Sequence, residues 1–80
     1  MLKLKDNIQF KKLKDYGFYL EPQRSYYYHK IEEGEIFIWL AKGYDYKSRY
    51  LYIEPKNYEM IISSLDVIYK LIKDDILEIV

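Results

Sequence analysis

The chain of 80 residues has no cysteine, one histidine, one tryptophan, two prolines and three glycines, and its 13 basic side chains balance 13 acidic ones. Each scarcity excludes something. Without cysteine there is no disulfide framework, no thiolate zinc site and no cysteine nucleophile. Gly17, Gly34 and Gly43 stand far apart, so no phosphate-cradling loop or dinucleotide fingerprint is formed. Ser25, Ser48, Ser63 and Ser64 lack the context of a nucleophile elbow. No apolar run approaches the ~20 residues that span a bilayer. Met1-Leu-Lys-Leu-Lys5 alternates leucine with lysine and lacks the apolar centre of a signal peptide. A cytoplasmic location is therefore expected, with no membrane partner. A dedicated duplex-DNA binder is strongly basic and a DNA mimic strongly acidic. Neither balance is found.

Aromatic side chains are what the chain has in quantity. Half the residues are hydrophobic and 19% are aromatic, eleven of them tyrosine. Eighty residues suit one globular domain spanning 1–80, and a domain of that size buries only about 60–65% of its unfolded surface. Its core must come from large side chains, each aromatic burying roughly 150–250 Å². Charge is uneven along the chain. Residues 1–14 carry Lys3, Lys5, Lys11, Lys12 and Lys14 against Asp6, a net of +4. Residues 57–80 carry Lys70 and Lys73 against Glu59, Asp66, Asp74, Asp75 and Glu78, a net of −3. The plain reading is that the two ends attract each other within the fold.

The organising stretch is Glu35-Ile-Phe-Ile-Trp-Leu40, which reads as the central strand of a small antiparallel sheet. Before it, Leu2 and Leu4 alternate with Lys3 and Lys5 as in an edge strand. Asp6 and Gln9 make a capping-box spacing, Ile8, Phe10, Leu13 and Tyr16 recur at helical intervals, and Gly17 is a natural stop. A short helix is expected over Ile8–Tyr16. Phe18-Tyr-Leu20 reads as a brief extended segment ended by Glu21-Pro22. Ser25–Ile31 is rich in strand formers, and Glu33-Gly34 suits a two-residue hairpin loop. That loop sets Ile31 opposite Ile36, His29 opposite Ile38 and Tyr27 opposite Leu40. One face then holds Tyr27, His29, Ile31, Ile36, Ile38 and Leu40, the other Tyr26, Tyr28, Lys30, Phe37 and Trp39. After a polar connection, Arg49–Ile53 forms a third strand, closed by Glu54-Pro55. Asn57 is a good N-cap. From Tyr58 the stripe Ile61, Leu65, Ile68 and Ile72, widened by Ile62, Tyr69 and Leu71, predicts a long helix ending at Asp74-Asp75. Leu77–Val80 is placed as a terminal strand beside Leu2–Lys5. The fold class is α+β: an antiparallel meander of three or more strands, with a long C-terminal helix packed on one face and a short N-terminal helix.

Leu4-Lys-Asp-Asn-Ile8, Leu13-Lys-Asp-Tyr-Gly-Phe18 and Leu65-Asp-Val-Ile-Tyr-Lys-Leu-Ile-Lys73 resemble small uncharacterised proteins of phages and prophages in low-GC Gram-positive bacteria. The resemblance covers the two chain ends. It implies a mobile-element origin more than any activity; small phage proteins often act by binding a host protein, for example one in antiviral defence. It implies no site residue.

Little else carries chemistry. His29 reads as a mid-strand histidine without an orienting carboxylate or nucleophile. Glu32, Glu33 and Glu35 cluster at the hairpin tip, where a solvated turn is the plain reading and a metal site the sharper one. No catalytic residue, metal or cofactor is assigned, and no enzyme is expected. Grouping by likeness places Tyr50 and Tyr52 with the aromatic face, making Tyr26, Tyr28, Phe37, Trp39, Tyr50 and Tyr52 the candidate partner-binding residues. One helix covers one side of a sheet, and an exposed apolar patch on a small protein marks a contact site. Against this stands cover by the N-terminal helix through Phe10, Leu13 and Tyr16. The expected role is a protein-binding module for a host protein or a second copy, as monomer or homodimer. The alternative is stacking of single-stranded bases, with Arg49, Lys30 and the N-terminal lysines on phosphates; zero net charge argues against nucleic acid.

Overall fold

A computed structural model describes residues 1–32, 34–41, 46–54 and 64–80. Strands β2 (Tyr19–Glu21), β3 (Tyr26–Ile31), β4 (Gly34–Trp39) and β5 (Leu51–Glu54) form an antiparallel meander in that order. The ends of the chain, β1 (Leu2–Leu4) and β6 (Leu77–Ile79), pair antiparallel as a separate two-stranded ribbon, with Leu2 opposite Ile79. A bridge between Lys3 and Tyr50 brings the ribbon to the β5 side of the sheet. The charge asymmetry of the two ends is used here. The Lys5 ammonium bonds Asp75, and Lys3 Nζ lies 4.0 Å from Glu78.

The hairpin register differs from the expected one. Ile31 pairs with Gly34, not Ile36, so Gly34 belongs to the strand and not to the loop. The physical reason lies in the pairs formed. This register sets Lys30 opposite Glu35, Tyr28 opposite Phe37 and Tyr26 opposite Trp39, where the other would set Lys30 against Phe37. Moving a two-residue loop by one position shifts the pairing by two, which leaves every side chain on its own face. On β5, Leu51 pairs with Ile38 and Tyr52 with Phe37, so aliphatics and rings part company across β4 and β5, while on β3 Tyr27 joins the aliphatic side.

The aliphatic face carries the main core. Ile36, Ile38, Tyr27 and Leu51 pack with Leu4, Leu13, Phe18, Ile68, Leu71, Ile76 and Leu77. The N-terminal helical segment is a 3-10 helix, Phe10–Tyr16, rather than an α-helix from Ile8. Its N-cap is Gln9 and no side chain caps it, so the expected Asp6 capping box is not formed. Gly17 ends it at φ 86°, as expected of a left-handed stop. A side chain at Gly17 would meet the His29 ring, since a Cβ there lies 3.0 Å from Nε2.

The described part of the C-terminal helix, α1, is short: Leu65–Lys73. The expected cap at Asn57 and start at Tyr58 lie outside the described residues. The helix closes at Asp74-Asp75, where Asp75 takes φ 63° and the amides of Asp74, Asp75 and Ile76 bond back to Lys70, Ile72 and Leu71. Its inward residues are Ile68 and Leu71, with Ser64 just ahead of it also buried. Leu65 and Ile72, expected in the buried stripe, face outward. No helix among the described residues is long and apolar enough to cross a membrane.

Candidate aromatic docking face

The sheet register builds the other face in rows. Directly opposed residues share a face, so Tyr19, Tyr28, Phe37 and Tyr52 form one row across all four strands. Glu21, Tyr26 and Trp39 form the next row, and Lys30, Glu35 and Glu54 flank the rings on the other side. All six residues predicted from sequence gather in one cluster. Tyr26, Phe37 and Tyr52 are its buried centre, and Tyr28, Trp39 and Tyr50 are half-buried around them.

The rings meet in the edge-to-face and offset arrangements that their quadrupoles favour. Tyr26 stands edge-on to Trp39 at 5.3 Å and to Tyr28 at 6.2 Å, while Phe37 stacks on Tyr52 at 5.5 Å. Sequence reasoning missed a seventh ring. Tyr46, in what reads as a polar connection, lies flat on Trp39 at 5.4 Å and edge-on to Tyr52 at 4.6 Å. Its hydroxyl donates to Glu54, and the Lys47 amide just beyond it donates to the Tyr52 hydroxyl at 2.8 Å. Tyr19, exposed on β2 with its ring 6.1 Å from Tyr28, was missed as well. Neither had a spacing signal. Tyr46 lies in a loop, and the β2–β3 pairing that aligns Tyr19 was not predicted.

Neither described helical segment covers this face. Phe10, Leu13 and Tyr16 pack on the aliphatic side, with the Phe10 ring parallel to Tyr27 at 6.3 Å. The alternative in which they shield the aromatic face is therefore not what the structure holds. The rings shield one another instead, and Phe37 is only 3% exposed. Lysine stems cover part of the rim, with Lys30 Nζ 5.7 Å from the Tyr28 ring centre and Lys47 Nζ 5.4 Å from that of Tyr50. Among the described residues the Trp39 indole Nε1–H is shut from solvent without a hydrogen-bond partner. An unmet buried donor of this kind costs about 1–3 kcal/mol.

The rim charges are mixed. Glu35 and Glu54 face each other across β4 and β5, an unfavourable pair. Each is met by another group: the Tyr26 hydroxyl donates to Glu35, Lys30 Nζ lies 3.6 Å from it, and Tyr46 serves Glu54. Arg24 Nη1 donates to the Tyr26 hydroxyl at 3.2 Å, and this bond raises the pKa of the guanidinium.

The other chemistry-bearing candidates are occupied. Arg49, which the nucleic-acid alternative would put on phosphates, donates its guanidinium to the carbonyls of Leu4, Lys5 and Ile8 and lies 4.7 Å over the Phe10 ring. His29 pairs with Ile36, not Ile38. Its Nδ1–H donates to the Lys30 carbonyl at 2.8 Å, and Phe18 packs edge-on against its ring. Glu32 is exposed on the turn, and Glu33 lies outside the described residues. No family model, curated protein or solved structure matches the chain.

Proposed function

We propose that the chain is a non-catalytic binding module that docks a protein partner on the aromatic sheet face, through Tyr28, Trp39 and Tyr50 with Tyr19 at the edge. The observation that carries this reading is the one-sided cover: both described helical segments pack on the aliphatic face, leaving the rings to each other and to lysine stems. Tyrosine and tryptophan with a wet edge are the side chains favoured at protein interfaces. The buried rings Tyr26, Phe37 and Tyr52 support the patch from beneath, and the half-buried ones make the contact. The resemblance to small phage and prophage proteins points to a host protein as the partner class, with a second copy as the other source of the same surface.

The rim favours protein over single-stranded nucleic acid. A backbone threaded across these rings would run past Glu21, Glu35 and Glu54 as well as Arg24, Lys30 and Lys47. Lys11, Lys12 and Lys14 sit on or beside the 3-10 helix of the opposite face, and Arg49 is committed to backbone carbonyls. Stacking platforms need a basic surround.

The test compares wild type with Tyr28→Ala/Tyr50→Ala as bait in a bacterial host lysate, beside heparin chromatography. Loss of the captured protein in the folded double variant, with no retention on heparin, is the expected outcome. Capture unchanged by the double variant overturns the site. Heparin retention that disappears with salt overturns the partner class.

A further inference from the structure

The helix α1 presents more apolar surface than its own chain uses. Ile68 and Leu71 point into the core, yet Leu65, Tyr69 and Ile72 are 53%, 56% and 47% exposed. Those three recur at i, i+4 and i+7, so they form one continuous stripe beside the buried one. The stripe has charges along one flank. Asp66 and Lys73 are seven residues apart, two turns or about 10.5 Å, on the same side of the helix. Among the described residues neither makes an ion pair or hydrogen bond within its own chain.

We infer that two copies of this chain associate about a two-fold axis, each laying the Leu65–Tyr69–Ile72 stripe of α1 antiparallel on the other. The charge pattern selects this occupant. A two-fold axis passing beside Tyr69 brings Leu65 of one copy to within one residue's rise, about 1.5 Å along the helix, of Ile72 of the other, and Asp66 equally near Lys73 in both directions. Tyr69 meets its own counterpart. Such self-complementarity is what an isologous contact requires, and a parallel two-fold pairing would carry the two charged flanks to opposite sides of the contact and leave Asp66 and Lys73 unmet. The net charge of zero adds no repulsion between copies. The stripe exposes on the order of 300 Å² per copy, well under the ~1,200 Å² total of a stable interface. The dimer is therefore weak and reversible. It uses a helix on the opposite side of the sheet from the aromatic patch, so both surfaces are available at once.

Sedimentation velocity between about 10 µM and 1 mM reads this directly. Wild type is expected to shift reversibly from monomer to dimer, and Tyr69→Asp to stay monomeric with an unchanged circular dichroism spectrum. Leu65→Asp gives the same reading should Tyr69→Asp misfold. Asp66→Lys and Lys73→Glu should each weaken association several-fold, since each converts two attractions into repulsions. The double reversal Asp66→Lys/Lys73→Glu should restore it. Wild type monomeric at 1 mM, or association unaffected by Tyr69→Asp, overturns the proposal. So does a dimer lost in Tyr28→Ala and kept in Tyr69→Asp, because that dimer runs through the aromatic face. A double reversal that stays weak overturns the antiparallel register.

Discussion

The two faces of the four-stranded sheet are covered by different means. On one, aliphatic side chains of β4 and β5 are sealed by both helical segments and the terminal ribbon, giving Ile36 and Ile38 no exposure at all. On the other, seven rings cover one another beneath a rim of lysine stems, and three of the six predicted from sequence stay half-buried. Branched aliphatics need foreign side chains to fill the space above a sheet. Large planar rings lean on their neighbours and close much of that space themselves. The difference teaches how rings can keep a sheet face dry where neither described helical segment lies over it. That face is still mostly dry, with Tyr28, Trp39 and Tyr50 half-buried at its surface.

Neighbouring residues on opposite faces give the sharpest test. Ile38→Ala should cost about 2–5 kcal/mol in urea unfolding, because a sealed site cannot collapse around the lost carbons. Trp39→Ala should cost clearly less, about 1–2 kcal/mol, since it removes an unmet donor along with a half-buried ring. Equal losses would make the aromatic face ordinary core and dissolve the comparison. Arg49 joins the two sides from the edge. Its amide donates to the Trp39 carbonyl, its carbonyl accepts from Leu4, and its guanidinium fork holds three carbonyls of the N-terminal segment. Arg49→Ala should cost about 2–4 kcal/mol, and Arg49→Lys should recover less than half, because an ammonium does not reproduce the planar fork. Full recovery by lysine would mean that charge, not geometry, holds the ribbon to the sheet.

A gentler substitution sharpens the same contrast. Trp39→Phe keeps a ring for Tyr26 and Tyr46 to lean on and removes the indole N–H. Stability should stay within about 1 kcal/mol of wild type. A larger loss would mean that the N–H is satisfied in solution, by an ordered water or a movement of Tyr46.

Much of this contrast was legible beforehand. Period-two alternation in Ile36–Leu40 and Leu51–Ile53 separates aliphatics from rings within each strand, and the grouping across strands survives the register found because that register differs from the expected one by an even shift. The register itself was misread because Gly34 looks like a loop residue, and cross-strand pairing of Lys30 with Glu35 outweighs that local preference. Helix orientation was less legible. Leu65, Ile68, Tyr69, Leu71 and Ile72 together span an arc of about 160° of the helix circumference, and hydropathy alone does not say which part of that arc faces inward. Tyr46 was illegible, since a loop residue has no periodic signal to place its ring over Trp39.

The smallest effect expected concerns the rim of the helical cover. The Tyr16 hydroxyl donates to Asp74 at 2.7 Å, tying the 3-10 helix to the end of α1. This hydrogen bond, followed by desolvation and the nearby Asp74 and Asp15 charges, raises the tyrosine pKa above its ordinary value of 10.0. A raised pKa means the neutral phenol is favoured by folding. The contribution is therefore complete below the unfolded value near 10.0 and is lost as pH climbs through the folded one. Tyr16→Phe should slightly lower stability at pH 7 and flatten the fall in stability beyond pH 10. In ultraviolet titration, comparing the variant with wild type should assign the missing phenolate step to a pH above that of free tyrosine. A step at or below it would mean the tether to Asp74 is absent in solution, and that the helical cover holds by packing alone.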